Sequence, residues 1–263
     1  MKTFSIITIN FNNVRGLRKT YQSIAEQTFR NFEWIVIDGG STDGSKDFLL
    51  QHQEEMAWCC SEPDGGIYNA MNKGIEHANG KYLLFMNSGD TLFEPTTLEK
   101  VSNKTPDADV LYGDWREIQP MRLRKMRHPP MHVNYHYFAT RPICHQTAFI
   151  RTSLLKQSPY DETYRICADW AKWVELSRDG RSFLYVPITV CNYRRDGISY
   201  RAKSQLQEEH KRILREFYDK DEAEVVETLL AKLDKRLRVI RRLIWLASLL
   251  LIAFLVLLFL TII

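Results

Sequence analysis

Short apolar runs alternate with helical stretches along the first 115 residues. Strands are predicted at Phe4–Ile9, Glu33–Ile37, Ala57–Cys60, Tyr82–Met86 and Val110–Tyr112. Helical spacing fills the gaps between them at Val14–Gln27, Asp43–His52 and Ile67–Ala78. This alternation predicts an α/β fold with a mostly parallel, doubly wound sheet.

The pattern changes after Asp114. Residues 116–142 lack a clear period and predict an irregular excursion with a short helix at most. Further strands are predicted at Cys144–Ile150, Phe183–Val186 and Thr189–Tyr193, and helices at Asp169–Ser177, Ala202–Tyr218 and Glu222–Arg242. We therefore expect one globular domain over residues 1–200 and a charged helical connector over residues 201–242.

The C-terminal segment Leu243–Ile263 carries no charged residue. As a helix it is long enough for a bilayer core of ~30 Å, so the pattern predicts a transmembrane anchor over 243–263. A buried core helix and an apolar oligomerisation helix are the alternatives. Basic residues crowd 232–242, which predicts a single C-terminal pass with the bulk of the protein cytoplasmic.

The charge and the cysteines narrow the class of protein. The net charge is +4, and its basic excess lies beside the predicted anchor, where it favours membrane lipid over nucleic acid as a partner. Five cysteines show no metal-binding spacing, which fits reduced thiols in a cytosolic domain.

Three aspartates, Asp38, Asp64 and Asp90, end or follow strands of the first half, each with a glycine within two residues. Ligands of open α/β sheets bind beyond the carboxyl ends of the strands, although aspartate and glycine are also ordinary turn residues. The sequence has neither the GxGxxG fingerprint nor the phosphate loop GxxxxGK[ST]. A nucleotide would therefore be bound by carboxylates, with a divalent cation offsetting its diphosphate charge.

Four ordered motifs carry a resemblance to a known family. They are Phe4-Ser5-Ile6-Ile7-Thr8-Ile9-Asn10, Ile35-Val36-Ile37-Asp38-Gly39-Gly40-Ser41-Thr42-Asp43-Gly44, Glu62-Pro63-Asp64-Gly65-Gly66-Ile67-Tyr68-Asn69-Ala70-Met71-Asn72-Lys73-Gly74 and Leu84-Phe85-Met86-Asn87-Ser88-Gly89-Asp90. Together they resemble the family 2 glycosyltransferases with the GT-A fold, and most closely the bacterial colanic-acid, O-antigen and capsule branch. The resemblance covers about residues 4–200.

The resemblance implies roles on the donor side of a site. Asn10 would line the nucleotide pocket, Asp38 would accept hydrogen bonds from the base or ribose, and Asp64 would lie near the ribose and sugar. Asp90 would hold Mg²⁺ or Mn²⁺. The family commonly has two or more acids in this motif, whereas this chain has one, Asp90 in Asn87-Ser88-Gly89-Asp90. Metal dependence is therefore expected through Asp90, the diphosphate and water.

The resemblance also implies a general base. Ile166-Cys167-Ala168-Asp169-Trp170 is similar to the family's base motif, with Asp169 as the base and Ala168 in place of the usual neighbour. Asp169 could instead be the N-cap of the following helix. Asp161 and Glu162 are nearby alternatives for the base.

Two weaker signals concern the acceptor and the diphosphate. His145 could contact either of them or be structural. Arg194 or Arg195, in a segment that resembles the loop over the donor diphosphate, could pair with phosphate or belong to a solvated turn. The alternating apolar and basic residues of 121–127 could face a membrane or lipid acceptor, or form an exposed edge strand.

These expectations combine into one functional hypothesis. The chain would be an inverting glycosyltransferase of cell-surface polysaccharide synthesis at the bacterial inner membrane. It would move sugar from a nucleotide-sugar, most simply a UDP-sugar, to a polyprenyl-diphosphate-linked saccharide. The alternatives are a nucleotidyltransferase and a catalytically silent, membrane-tethered partner that binds nucleotide.

Overall fold

A computed structural model describes residues 2–104, 107–119, 124–195, 197 and 202–262, with the side chains of 241 and 253–262 left aside. The chain divides into two compact units, residues 1–213 and residues 214–263. The first unit contains the sheet and all of the candidate site residues, and the fold is described for each unit separately.

The first half of unit one follows the predicted alternation. Its strands are β1 (Phe4–Asn10), β2 (Phe32–Asp38), β3 (Trp58–Ser61) and β4 (Tyr82–Phe85), and its helices are α1 (Val14–Ala25), α2 (Ser45–Gln51) and α3 (Ile67–His77). A single-turn 3₁₀ helix at Gln53–Glu55 precedes β3. The four strands are parallel in the order β3-β2-β1-β4, so the α/β prediction is confirmed for this half.

Strand β1 is buried on both faces, as a central parallel strand requires. Consecutive residues Ile6 and Ile7 are each 0% exposed. Ile6 shares a core cluster with Leu17 of α1. On the opposite face α3 lies so close that a Cβ added at Gly74 would be 2.5 Å from Cγ2 of Ile7. Helices therefore cover both faces, and ligands can reach this part of the sheet at the ends of its strands.

The second half of unit one completes a mixed sheet. Its strands are β5 (Thr91–Leu92), β6 (Val110–Ile118), β7 (Lys125–Arg127), β8 (Ala148–Arg151) and β9 (Phe183–Arg194). Its helices are α4 (Thr97–Ser102), α5 (Tyr135–Phe138), α6 (Thr152–Gln157) and α7 (Ala168–Arg178), with a 3₁₀ turn at His145–Thr147. The order continues β4-β8-β6-β9-β5, and β7 pairs with β6.

Strand direction corrects the prediction of a mostly parallel sheet. β8 runs antiparallel to both of its neighbours, β4 and β6, and β5 runs antiparallel to β9. The residues Ala148, Phe149 and Ile150 are fully buried, so β8 has the composition of a buried parallel strand. Its direction depends on where the preceding connection ends, which composition does not reveal.

The strands predicted at 183–186 and 189–193 are one continuous strand, β9. The stretch 116–142, predicted to be irregular, begins with the end of β6. β9 runs through Pro187 because the register changes there, with Tyr112 opposite Tyr185 but Asp114 opposite Thr189. Such a bulge accommodates a proline, which has no N–H to donate. β6 extends to Ile118, and β7 pairs with it at an exposed position. This agrees with the edge-strand interpretation of 121–127, of which 121–123 lie outside the described residues.

Two helices follow, α8 (Lys203–Phe217) and α9 (Lys220–Ile262). Among the helices of the described residues, none combines the length and the apolarity needed to cross a bilayer. The predicted transmembrane helix at 243–263, and the inner-membrane location inferred from it, are therefore wrong.

Candidate active site

Polar residues meet where the parallel strands end. Asn10 pairs in register with Asp38, and Asp38 pairs with Ser61, so these residues lie side by side on three adjacent strands. Asp64 follows β3, and Asp90 follows β4. The four residues predicted from the donor-side motifs therefore lie along one edge of the sheet.

Asp38 is enclosed by the protein itself. It is 0% exposed, and Asn10 Nδ2 donates to its Oδ1 at 2.6 Å. Ser41 donates its hydroxyl to the same oxygen and its backbone N–H to Oδ2, and the Ser61 hydroxyl also reaches Oδ2 at 2.7 Å. Two donors on each oxygen use the hydrogen-bonding capacity of a carboxylate. Asp38 therefore shapes the loop after β2, and it does not face a ligand in this conformation.

The exposed surface at this edge comes from other residues. Phe11, directly after β1, is 66% exposed. A Cβ added at Gly39 would lie 3.2 Å from Cδ2 of Phe11 and 2.7 Å from Oδ2 of Asp64. Asp64 also accepts a hydrogen bond from the backbone N–H of Gly66 at 2.9 Å. An aromatic face and a carboxylate thus flank a backbone segment without a side chain.

Asp90 is buried beneath the same edge. Its Oδ1 accepts the backbone N–H of Arg194 at 2.8 Å, and its Oδ2 accepts Nε2 of Gln146 at 3.0 Å. Burial raises the pKa of Asp90 to about 6, and the two hydrogen bonds only partly counter that effect. Asp90 therefore ties the turn after β4 to the end of β9.

The two neighbouring arginines differ in position. The Arg194 side chain crosses Gly89, since a Cβ there would lie 3.5 Å from its Cδ. Arg195 donates from Nη1 to Glu117 at 2.7 Å, beside the ion pair of Glu117 with Arg127. Arg194 therefore lies next to the Asn87–Asp90 turn, whereas Arg195 belongs to a partly exposed ion-pair cluster around the buried Glu117 of β6.

A divalent cation at the turn Asn87–Asp90 would have few protein ligands. No group of three His, Cys, Asp or Glu side chains converges as a metal site within the described part of the chain. Asp90 is the carboxylate of its turn, and each of its oxygens keeps one lone pair after the hydrogen bonds above. Oδ1 of Asn87 on the same turn is buried without a hydrogen-bond partner among the described residues. This set fits a cation held mainly by phosphate and water.

Asp169 lies at the start of α7, but it does not cap that helix. The N-cap is Cys167, and Asp169 is the second helical residue. Its Oδ1 accepts the hydroxyl of Tyr68 at 2.8 Å, and its Oδ2 lies 3.0 Å from Nδ1 of His145. The side chain of Asp169 is 15% exposed, so it keeps some access to solvent.

The 3₁₀ turn His145–Thr147 connects Asp169 to the turn Asn87–Asp90. Nε2 of His145 lies 3.2 Å from Nδ2 of Asn87. When that amide donates to Nε2, the neutral imidazole carries its proton on Nδ1 and donates it to Asp169. The next residue, Gln146, bonds Asp90. His145 and Gln146 therefore link the turn Asn87–Asp90 to the carboxylate of Asp169 on α7.

The alternative acids are used elsewhere in the fold. Asp161 accepts both the backbone N–H and the hydroxyl of Thr163, at 2.8 and 2.6 Å. Glu162 accepts the amide groups of Asn69 and Asn72. Within the described residues neither carboxylate has a hydrogen bond to the turn that carries Asp90, so the geometry favours Asp169 over both.

Two residues of the site were missed by sequence reasoning: Phe11 and Tyr68. Phe11 directly follows the first motif of the resemblance and Tyr68 lies inside the third, and the exposure of Phe11 and the burial of Tyr68 were the missing information. Gln146 was noted only as the neighbour of His145, and its hydrogen bond to Asp90 became visible in the structure. An aromatic residue directly after the first strand is the signal that could have found Phe11.

The comparisons with known proteins identify the family. The model of Glycosyl transferase family 2 matches residues 5–168, so the chain belongs to this family. This confirms the predicted enzyme class, a glycosyltransferase. The chain is 37% identical over 174 residues to an uncharacterised glycosyltransferase of Mycobacterium tuberculosis, covering 64% of this chain and 66% of that protein, slightly less than two thirds of its length. It is also similar to a "PGL/p-HBAD biosynthesis glycosyltransferase" of Mycobacterium bovis, at 33% identity over 202 residues, 74% of this chain and 77% of the relative.

Solved structures show the same fold at low sequence identity. S. aureus TarS in complex with UDP-GlcNAc superposes with a TM-score of 0.63 at 19% identity, covering 82% of this chain and 71% of that one. The mannosyltransferase PcManGT of Pyrobaculum calidifontis, in complex with GDP-Man and Mn²⁺, gives a TM-score of 0.62 at 16% identity, over 81% and 63% of the two chains. The GT-A-like α/β fold is thus confirmed, whereas the colanic-acid, O-antigen and capsule branch stays a prediction.

Proposed function

We propose that the protein transfers a sugar from a nucleotide-sugar to a hydroxyl of a saccharide acceptor with inversion, and that Asp169 is the general base. The observation that carries the proposal is the chain of contacts from Asp169 through His145 to Asn87. It joins a partly exposed carboxylate to the turn that carries Asp90. A base and a diphosphate site need such proximity, because the attacked carbon is bonded to the leaving diphosphate.

The donor base and ribose are proposed to bind against Phe11, Gly39 and Asp64. An exposed aromatic ring offers a stacking surface, and a carboxylate accepts the N–H and O–H groups of a nucleoside. The enclosure of Asp38 by four protein donors supports Asp64, and not Asp38, as the accepting carboxylate. One solved neighbour contains UDP-GlcNAc and another contains GDP-Man, so the fold by itself does not choose the nucleotide. UDP is proposed here on the family resemblance, and a panel of donors tests that choice.

The chemical step is a single displacement. The acceptor oxygen attacks C1 of the sugar as its proton passes to Asp169, and the bond from C1 to the diphosphate breaks with both electrons leaving on the nucleotide. Tyr68 and His145 hold the two oxygens of Asp169 in place. Arg194 is proposed to pair with the diphosphate, since it lies over Gly89 at the same turn.

A bound Mg²⁺ or Mn²⁺ would neutralise the charge that develops on the leaving diphosphate. Asp90 is proposed as its protein ligand, with Asn87 Oδ1 as a second oxygen on the turn. The Mn²⁺ in the mannosyltransferase neighbour is consistent with this proposal.

The acceptor is proposed to be a lipid-linked saccharide on the family resemblance alone, since the predicted membrane anchor, the other ground for this choice, is corrected above. A relative is named for PGL/p-HBAD biosynthesis, and a polyprenyl-diphosphate-linked saccharide is the narrower expectation. Bacterial lipid extract therefore serves as the acceptor mixture, and mass spectrometry of the products identifies the class that gains a sugar.

The test compares Asp169→Asn with Asp161→Asn in a transfer assay. Release of the nucleoside diphosphate is measured over a panel of UDP-sugars and GDP-sugars with lipid extract, with and without Mn²⁺. Asp169→Asn keeps the shape of the side chain but cannot take a proton at neutral pH, so transfer should fall ~10²-fold or more. Its affinity for UDP, measured by calorimetry, should stay within about two-fold of wild type. Asp161→Asn changes an exposed aspartate whose carboxylate is bonded to Thr163, and its transfer rate should match wild type.

Two results would contradict the proposal. Near-normal transfer by Asp169→Asn would remove it as the base. UDP binding without transfer to any acceptor or water, in wild type and variants alike, would favour the catalytically silent partner instead.

A further inference from the structure

Helix α8 reaches back to the residues that precede Asp169. The carboxylate of Glu209 accepts the backbone N–H of Arg165 at 3.0 Å, and those of Ile166 and Cys167 at 2.9 Å each. The match to the family model ends at residue 168, so this contact comes from a part of the chain that the family model does not include.

The three N–H groups belong to the segment that enters α7. Cys167 is the N-cap of that helix and offers no side-chain cap of its own. N–H groups at a helix start lack intrahelical acceptors, and an anionic acceptor there forms short, strong hydrogen bonds. Glu209 thus accepts the N–H of the N-cap, which a side chain at the third helical residue reaches in a capping box, and the N–H groups of the two residues before it.

The same helix also contacts the residue that follows Asp169. The rings of His210 and Trp170 stack with centroids 4.1 Å apart, and His210 Nε2 lies 2.9 Å from the carbonyl of Ala139. Two consecutive residues of α8 therefore contact the chain on both sides of Asp169. The Tyr68 hydroxyl also contacts this segment, 2.6 Å from the carbonyl oxygen of Ile166.

We infer that Glu209 is a positioning residue for the glycosyl transfer reaction, which fixes the start of α7 so that Asp169 faces the acceptor. The inference rests on the proposed role of Asp169 as the base. Glu209 acts through backbone N–H groups and touches no substrate. Its loss therefore changes the rate of the chemical step and leaves the binding of the nucleotide as it was.

The variant Glu209→Gln tests this inference, with Glu208→Gln as its matched control. Gln keeps the length but replaces one acceptor oxygen with an amide N–H, which faces backbone donors. Transfer with the UDP-sugar that wild type uses should fall roughly ten-fold, because small displacements of a base cost rate steeply. KM for that donor and the affinity for UDP should stay within about two-fold. Glu208, the exposed neighbour on the same helix, should behave as wild type when changed.

A double-mutant cycle separates positioning from general support of the fold. If Glu209 acts through Asp169, then adding Glu209→Gln to Asp169→Asn should change the residual transfer rate by less than about two-fold. Equal losses in both backgrounds would overturn the inference, and so would a parallel loss of UDP affinity. A wild-type rate for Glu209→Gln would overturn it as well.

The conservative variant Glu209→Asp covers the case in which Glu209→Gln does not fold. It keeps the charge on a shorter side chain, so its transfer rate should lie between those of wild type and Asp169→Asn, with the same lack of additivity in the cycle. Failure of the proposed function is seen separately, because near-normal transfer by Asp169→Asn alone refutes the base without reference to Glu209.

Discussion

Two buried tyrosines beside Asp169 provide a matched pair of substitutions. The rings of Tyr68 and Tyr160 lie 5.4 Å apart. The Tyr68 hydroxyl donates toward Asp169 and the carbonyl of Ile166, whereas the Tyr160 hydroxyl has no hydrogen-bond partner among the described residues. Burial raises the pKa of both phenols well above the usual value, so both are neutral at pH 7.5. Replacing each with Phe removes one oxygen and leaves the ring.

The two changes should have opposite effects on the free energy of unfolding. Tyr68→Phe removes a hydrogen bond to a charged carboxylate and should cost about 2 kcal/mol. In a domain of this size that corresponds to roughly 4–8 °C in Tm. Tyr160→Phe removes a hydroxyl that is buried away from water without a hydrogen bond, which is unfavourable in the folded state. The change should therefore raise the free energy of unfolding by between zero and about 1 kcal/mol.

Thermal and urea unfolding of the two variants at pH 7.5 measure the difference, and UDP affinity serves as a check that the donor side is intact. Tyr68→Phe should also slow transfer, since Oδ1 of Asp169 loses its donor, while Tyr160→Phe should not. Equal destabilisation by both variants, or a larger loss for Tyr160→Phe, would show that the ring packing and not the hydroxyl network determines the stability here.

Two further predictions concern the turn that carries Asp90. The pKa of Asp90 is about 6 in the folded state, above the usual ~3.9, so the folded protein binds this proton more tightly than the unfolded chain does. In metal-free buffer the protonated Asp90 therefore adds up to about 3 kcal/mol to the free energy of unfolding below pH 4. This contribution is lost as the pH rises through 6. Asp90→Asn should remove this decrease in the free energy of unfolding between pH 4 and pH 6, measured by urea unfolding at each pH. The same pH dependence in the variant and in wild type would contradict the burial argument. Arg194→Ala should weaken UDP binding roughly ten-fold or more through a lost charge-assisted bond, whereas Arg195→Ala should leave it unchanged and lower Tm because Glu117 loses a partner. Equal affinities of the two arginine variants for UDP would exclude Arg194 from the diphosphate site.

Local sequence predicted the parts of the fold that depend on neighbouring residues. The strands and turns of the first half, from β1 to β4, follow from apolar runs ended by Asn, Asp and Gly. Parallel strands end at one edge, so the common location of Asn10, Asp38, Asp64 and Asp90 followed as well. Strand direction and register in the second half depend on distant connections, which explains why β8 and β9 differ from expectation.

What the sequence determined by itself is therefore the family, the α/β alternation and the side of the sheet on which the chemistry lies, because these follow from short-range patterns and ordered motifs. Tertiary structure alone decided what each carboxylate can do. Asp38 is buried under four hydrogen-bond donors, while Nδ1 of His145 and Oδ2 of Asp169, 24 residues apart in the sequence, lie 3.0 Å apart. The contact of Glu209 with the start of α7 bridges more than 40 residues. Burial and long-range contact depend on how the whole chain packs, and no local pattern of residues specifies them.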